Sequence, residues 1–119
     1  MPFTWQININ KNPLGPPVAT FNPNPLSGVE IGDQIIWTNN DDIQHWPALN
    51  TGGGNLDPQY FMANPIAPNS PSDTFLPAEN GTLNYVCSIH PDETGAIVVA
   101  APLAQLTPSN PAGGKSSGQ

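Results

Sequence analysis

Residues 83–100, LNYVCSIHPDETGAIVVA, decide the fold of this chain. Apolar runs typical of strands lie at both ends and enclose a loop that holds the only cysteine, Cys87, and His90 three positions later. The other histidine, His45, ends a polar stretch that follows a third strand-like run. One sulfur and two imidazoles, each at a strand end, are the ligand set of a copper or zinc site.

The regions outside this stretch predict further short strands. Residues 3–9 alternate apolar and polar side chains, which is the period of a half-buried strand. The full set of strand patterns covers residues 3–9, 18–21, 26–31, 34–39, 73–76, 82–87 and 96–101. Residues 39–50 are predicted as a polar connection and residues 51–71 as a long irregular loop. About seven short strands separated by turns predict an all-β fold, an antiparallel β-sandwich.

Composition excludes several classes of function. The net charge is -7 and the chain has only two basic residues, so it lacks the side chains that bind nucleic acid phosphates. A single cysteine excludes an internal disulfide. The longest apolar runs are far shorter than the roughly 20 residues that span a bilayer. Asp41 and Asp42, in the polar connection, are expected to be solvated.

The chain is predicted to contain one domain, residues 1–101, followed by a Pro/Gly/Ser-rich tail or linker, residues 102–119. Its first residues run straight into a strand pattern without a signal peptide. We therefore expect a mature or excised form of the protein with an added Met1.

Two motifs flank the long loop. The first is residues 32–39, GDQIIWTN, which lead to His45. The second is residues 85–91, YVCSIHP, followed by residues 94–99, TGAIVV. Together they resemble the cupredoxins, the small blue-copper family, and the second motif is similar to the short ligand loop of amicyanin and plastocyanin-like members. The resemblance extends over most of the chain, from about Val18 to Ala100.

The resemblance implies a fold, a cofactor and a function. The fold is an eight-stranded Greek-key sandwich, and the cofactor is one copper ion that alternates between Cu(II) and Cu(I). His45, Cys87 and His90 would be its equatorial ligands. The family activity is one-electron transfer to or from a redox partner protein, a cytochrome or a copper or haem enzyme. A monomeric electron carrier in the periplasm or outside the cell, rather than an enzyme, is therefore the favoured interpretation.

The axial position departs from the family pattern. In the shortest family loops the axial methionine lies three residues after the second histidine, and here that position is Glu93. The resemblance thus implies Glu93 as the fourth ligand, with water, the Gly95 carbonyl or Met62 as alternatives. A carboxylate is harder than a thioether and favours Cu(II), so we expect a low reduction potential and a red or green site. Trp46, directly after His45, also departs from the pattern of many members.

Two other functions use the same residues. An open or exchangeable fourth position would let the copper bind or convert a small molecule such as nitric oxide. Alternatively, a Cys-His-His-Glu set would satisfy tetrahedral zinc in a non-redox metal-binding or structural domain.

Overall fold

The computed structural model describes residues 3–101, 110–112 and 114–116, and all regular elements in these residues are β-strands. They are β1 (Thr4–Lys11), β2 (Ala19–Asn22), β3 (Leu26–Glu30), β4 (Gln34–Asn39), β5 (Pro47–Gly52), β6 (Asn55–Asp57), β7 (Ser70–Pro71), β8 (Gly81–Cys87), β9 (Thr94–Ala100), β10 (Asn110–Ala112) and β11 (Gly114–Ser116). Strands β10 and β11 pair with each other. Most of the predicted tail, residues 102–119, lies outside the described residues, which contain no helix able to cross a membrane.

Strands β1 to β9 form two sheets. One has the order β2-β1-β4-β7 and the other the order β3-β9-β8-β5-β6. Side chains from both sheets share one core, so the predicted all-β sandwich is confirmed. The pairs β1–β4 and β3–β9 are parallel, whereas the remaining pairs are antiparallel as expected. Both parallel pairs join strands that are distant in sequence, as occurs where the chain crosses between sheets.

Trp37 occupies the centre of the core. Its side chain is fully buried, and its ring lies 5.1 Å from the ring of Phe61 and 5.7 Å from that of Tyr85 on the opposite sheet. Every second side chain of β4 is buried, so Asn39 is buried like Trp37. In β8 the same alternation buries Cys87 as well as Tyr85. Both strands therefore end on a buried polar or sulfur-bearing side chain.

Two sequence-based assignments of secondary structure were wrong. Residues 73–76 are not a strand, since only Phe75 forms an isolated bridge, with Ile35. The region predicted as polar connection and irregular loop contains the hairpin β5–β6, which turns through residues 52–54, three glycines with positive φ. Strand β5 is poor in branched residues, and its position depends on pairing with β8 across the site rather than on local propensity.

Asp33, in the turn between β3 and β4, is hydrogen-bonded to the start of β1. Its carboxylate accepts hydrogen bonds from Phe3 N at 3.1 Å, Trp5 Nε1 at 2.9 Å and Glu30 N at 3.0 Å. These bonds, with that from Trp5 the strongest, favour the ionised carboxylate and lower the pKa of Asp33.

Asp33→Asn should destabilise the protein by about 1.5–3 kcal/mol at neutral pH, because hydrogen bonds to a charged acceptor are lost. The folded pKa of Asp33 lies below its ordinary value of 3.8, so its contribution is fully present above that pH and is lost as the pH falls through the folded pKa. Urea unfolding of wild type and variant from pH 7 to pH 2 should therefore give converging stabilities. Asp73→Asn, which changes an exposed carboxylate, is the control. If the free energy of unfolding depended on pH in the same way in both variants, this account would be contradicted.

Candidate metal centre

Four side chains meet at one end of the sandwich, where β4, β5, β8 and β9 begin or end. Cys87 is the last residue of β8, His90 and Glu93 lie in the loop before β9, and His45 lies between β4 and β5. One potential ligand atom from each residue lies within 4.8 Å of those of the other three. The structure thus brings together all four residues that the sequence predicted as metal ligands.

The separations between individual donor atoms are short. Cys87 Sγ lies 3.6 Å from His90 Nδ1 and 4.0 Å from His45 Nδ1. Glu93 Oε1 lies 2.9 Å from His45 Nδ1 and 3.4 Å from His90 Nδ1. Both imidazoles therefore direct Nδ1 toward the sulfur and the carboxylate.

The loop between Cys87 and Glu93 is closed by its own backbone. Cys87 N donates to Glu93 O at 2.9 Å, His90 N donates to Cys87 O at 3.2 Å, and Glu93 N donates to His90 O at 3.0 Å. The antiparallel ladder of β8 and β9 continues directly from this loop, with Val86 opposite Thr94. Three of the four donors are consequently positioned by one short, hydrogen-bonded turn.

Buried hydrogen bonds fix the segment that carries His45. His45 and Ile66 exchange backbone hydrogen bonds of 3.3 and 2.8 Å. The Asn39 side chain, at the end of β4, donates to Ile43 O at 2.8 Å and Ala67 O at 3.1 Å. Trp46 N then donates to Cys87 Sγ at 3.4 Å, which links the two segments that carry the candidate ligands.

Burial and charge distinguish the four residues. His45 and Cys87 are fully buried, Glu93 is 1% exposed, and the side chain of His90 is 23% exposed. Burial alone lowers the pKa of His45, but hydrogen bonds with Cys87, Glu93 and Asp41 outweigh it and raise this pKa to about 10. These contacts favour the protonated imidazole, and a metal ion bound at Nδ1 would replace the proton there.

The donor set fits a single metal ion. Ligands at about 2.0–2.3 Å in tetrahedral geometry lie about 3.3–3.8 Å apart. The four donor separations given above, from 2.9 to 4.0 Å, bracket this range. Glu93 Oε2 is buried without a hydrogen-bond partner among the described residues, although a buried carboxylate requires a cation or hydrogen bonds. One thiolate, two imidazoles and one carboxylate suit copper or zinc.

Among the residues near these four side chains, one differs from its sequence-based interpretation. Met62 is 4% exposed and belongs to the hydrophobic core, and Gly95 lies in the β8–β9 ladder opposite Tyr85. Asp41 is 2% exposed and contacts His45 Nε2 at 2.9 Å, so the expectation that it is solvated was wrong. The side chain of Asp42 is exposed, as expected. No local signal in the sequence indicated the burial of Asp41, because it depends on a distant segment that includes Asn69.

Solved structures share this architecture. A purple cupredoxin from Nitrosopumilus maritimus is 25% identical, with a TM-score of 0.68 over 81% of this chain and 99% of that one. The fold is that of the cupredoxins. Amicyanin from Paracoccus versutus is 18% identical over 82% of this chain and 81% of its own, with a TM-score of 0.61. A Cu(I) form of an amicyanin mutant is 21% identical over 84% of this chain and 85% of its own, also with a TM-score of 0.61.

No protein-family model and no curated protein sequence matches the chain. The likeness to cupredoxins therefore rests on the three-dimensional arrangement of the strands and on the two sequence motifs around His45 and Cys87.

Proposed function

We propose that this chain is a mononuclear copper protein that transfers single electrons. The observation that carries the proposal is the convergence of His45, Cys87, His90 and Glu93 at one end of a cupredoxin fold. Copper in a His₂Cys site with a weak axial partner alternates between Cu(II) and Cu(I) with little movement of its ligands. The closed loop 87–93 and the buried segment around His45 supply the rigidity that such a site requires.

Glu93 is the proposed axial ligand. Its Oε1 lies within 3.4 Å of both histidine Nδ1 atoms, and its buried carboxylate adds a negative charge to the donor set. A hard anionic oxygen stabilises Cu(II) relative to Cu(I), so the reduction potential is low and the colour is red, green or purple rather than blue. The purple cupredoxin among the structural neighbours supports a colour other than blue on this fold.

His90 is the proposed point of contact with the redox partner. It is the most exposed of the four ligands, at 23%, and the adjacent Ile89 is 43% exposed. A partly exposed ligand edge beside an apolar side chain suits brief docking of a cytochrome or a copper or haem enzyme. We place this activity in the periplasm or outside the cell, where such partners operate.

Metal analysis with electron paramagnetic resonance of the oxidised protein tests the proposal. We expect one copper ion per chain, nitrogen couplings from two imidazoles and reversible reduction in a redox titration. A colourless protein that retains zinc and rejects copper would overturn the proposal in favour of a structural metal site. New absorption bands on adding azide or nitric oxide would overturn pure electron transfer in favour of a site that binds small molecules.

Glu93→Gln and Glu93→Met should raise the reduction potential. Each removes a buried negative charge that stabilises Cu(II), and a tenfold change in the ratio of Cu(II) to Cu(I) affinity corresponds to about 59 mV for one electron. We expect at least that shift in both variants, measured by redox titration. Asp92→Asn removes an exposed charge from the same loop and is the matched control. Potentials that are equal in Glu93→Gln and Asp92→Asn would exclude Glu93 as a ligand.

A further inference from the structure

Asp41 is a buried carboxylate on the far side of the His45 ring from the proposed ligands. Asp41 Oδ2 lies 2.9 Å from His45 Nε2, and the two side chains are 2% and 0% exposed. Nδ1 of the same ring lies 2.9 Å from Glu93 Oε1 and 4.0 Å from Cys87 Sγ. The two ring nitrogens thus have separate partners: the cluster of donors on one side and Asp41 on the other.

The backbone holds Asp41 firmly in this position. Asp41 N donates to Asn39 Oδ1 at 2.9 Å, Asn69 N donates to Asp41 O at 3.1 Å, and Asp42 N donates to Asp41 Oδ1 at 2.8 Å. Lys11 Nζ lies 4.0 Å from Oδ1, but its side chain is 58% exposed, so solvent screens much of its charge. The imidazole of His45 is therefore the close partner of Oδ2.

We propose that Asp41 is a positioning residue for the metal-binding histidine. By accepting the Nε2 proton of His45, Asp41 fixes the ring orientation and the tautomer whose free nitrogen is Nδ1. A carboxylate in this place also makes a bound imidazole more basic, and its charge favours the more positive, oxidised state of the site. This inference rests on the proposed function. It assigns part of the control of the reduction potential to Asp41, which contacts His45 but none of the other proposed ligands.

The experiment compares Asp41→Asn with Asp42→Asn in copper-loaded protein. Both remove one negative charge, but the side chain of Asp42 is 67% exposed and contacts Lys11 Nζ at 3.1 Å rather than His45. Asp41→Asn should lower Cu(II) affinity about 10- to 100-fold and Cu(I) affinity less, because outer partners of a metal-bound histidine have effects of this size. If the loss of Cu(II) affinity is ten times larger than the loss of Cu(I) affinity, the reduction potential rises by about 59 mV for one electron. Asp42→Asn should leave both affinities within about twofold of wild type, as expected for a screened surface charge.

A second measurement uses wild-type protein in case Asp41→Asn does not fold. In the diamagnetic Cu(I) form, nuclear magnetic resonance should detect a slowly exchanging proton on His45 Nε2 that is strongly shifted by its bond to the carboxylate. Absence of this proton would overturn the proposed role of Asp41 and leave the proposed copper site untouched. The same would follow if Asp41→Asn and Asp42→Asn changed the reduction potential equally. Wild-type protein that takes up no copper would instead overturn the proposed function and this inference with it.

Discussion

Replacing Cys87 with serine should abolish the strong colour of the copper-loaded protein and lower copper affinity by more than about 100-fold. Loss of an outer partner of a metal ligand already costs about 10- to 100-fold, and loss of the only thiolate removes a ligand itself. A serine hydroxyl is a hard, neutral oxygen with weak affinity for Cu(I). The visible spectrum and competition titrations with a chelator of known affinity measure both effects.

The neighbouring substitution Ser88→Ala is the control for Cys87→Ser. Ser88 Oγ donates to Trp46 O at 3.1 Å, so its loss disturbs the same pair of segments without touching the donor set. Colour and affinity should persist in Ser88→Ala. Thermal unfolding of both metal-free variants should show an intact fold, since serine fits the space of Cys87 and can accept the hydrogen bond from Trp46 N. Retention of the visible band in Cys87→Ser would show that the sulfur does not bind the metal.

Gly95→Ala should destabilise the protein by about 1–3 kcal/mol or more, because an added Cβ would overlap the ring of Tyr85. That Cβ would lie 2.7 Å from Tyr85 Cε1 and closer still to Cζ and the hydroxyl oxygen. Tyr85 cannot withdraw easily, since it is 1% exposed and its ring packs against Phe21 at 4.8 Å and Trp37 at 5.7 Å. A shift of 1 kcal/mol lowers the melting temperature by roughly 4–8 °C in a domain of this size, measurable by calorimetry.

A second background tests whether Tyr85 causes the cost of Gly95→Ala. In a Tyr85→Leu protein the aromatic ring is absent, so adding Gly95→Ala should cost much less than in wild type. Contacting residues are expected to deviate from additivity in this way, by about 0.5–3 kcal/mol. If the alanine costs the same in both backgrounds, the overlap with Tyr85 is not its cause.

The meeting of the candidate ligands was predictable because cysteine and histidine are rare in this chain. One cysteine and two histidines, all at strand ends, left few alternatives for a soft metal site. Strand β4 was predicted with its observed bounds, since branched and aromatic residues lie between clear turn signals. The loop from Cys87 to Glu93 is local, so the position of the family's axial residue could be counted along it, and the structure places Glu93 beside the other three side chains.

The burial of Asp41 and the strand β5 could not be predicted, since both depend on distant partners. Asp41 is enclosed by the segment around Asn69, and two adjacent aspartates in a polar stretch carry no local sign of burial. Strand β5 pairs with β8, which lies more than thirty residues later, and its own side chains have little strand propensity. Pairing over such separations is set by the packed fold rather than by neighbouring residues.

The hydrogen-bonded closure of residues 87–93 makes this loop a portable unit. Three backbone hydrogen bonds join residues of the loop to one another, and two antiparallel strands connect it to the sandwich. Outside these strands it is hydrogen-bonded to Trp46. A protein engineer could therefore transplant the seven residues onto another β-hairpin of matching register and carry three donors along in one graft. The recipient would need to supply a histidine on a neighbouring segment that is held against the loop, as the Trp46 N to Cys87 Sγ and Ser88 N to Trp46 O hydrogen bonds hold the His45 segment here.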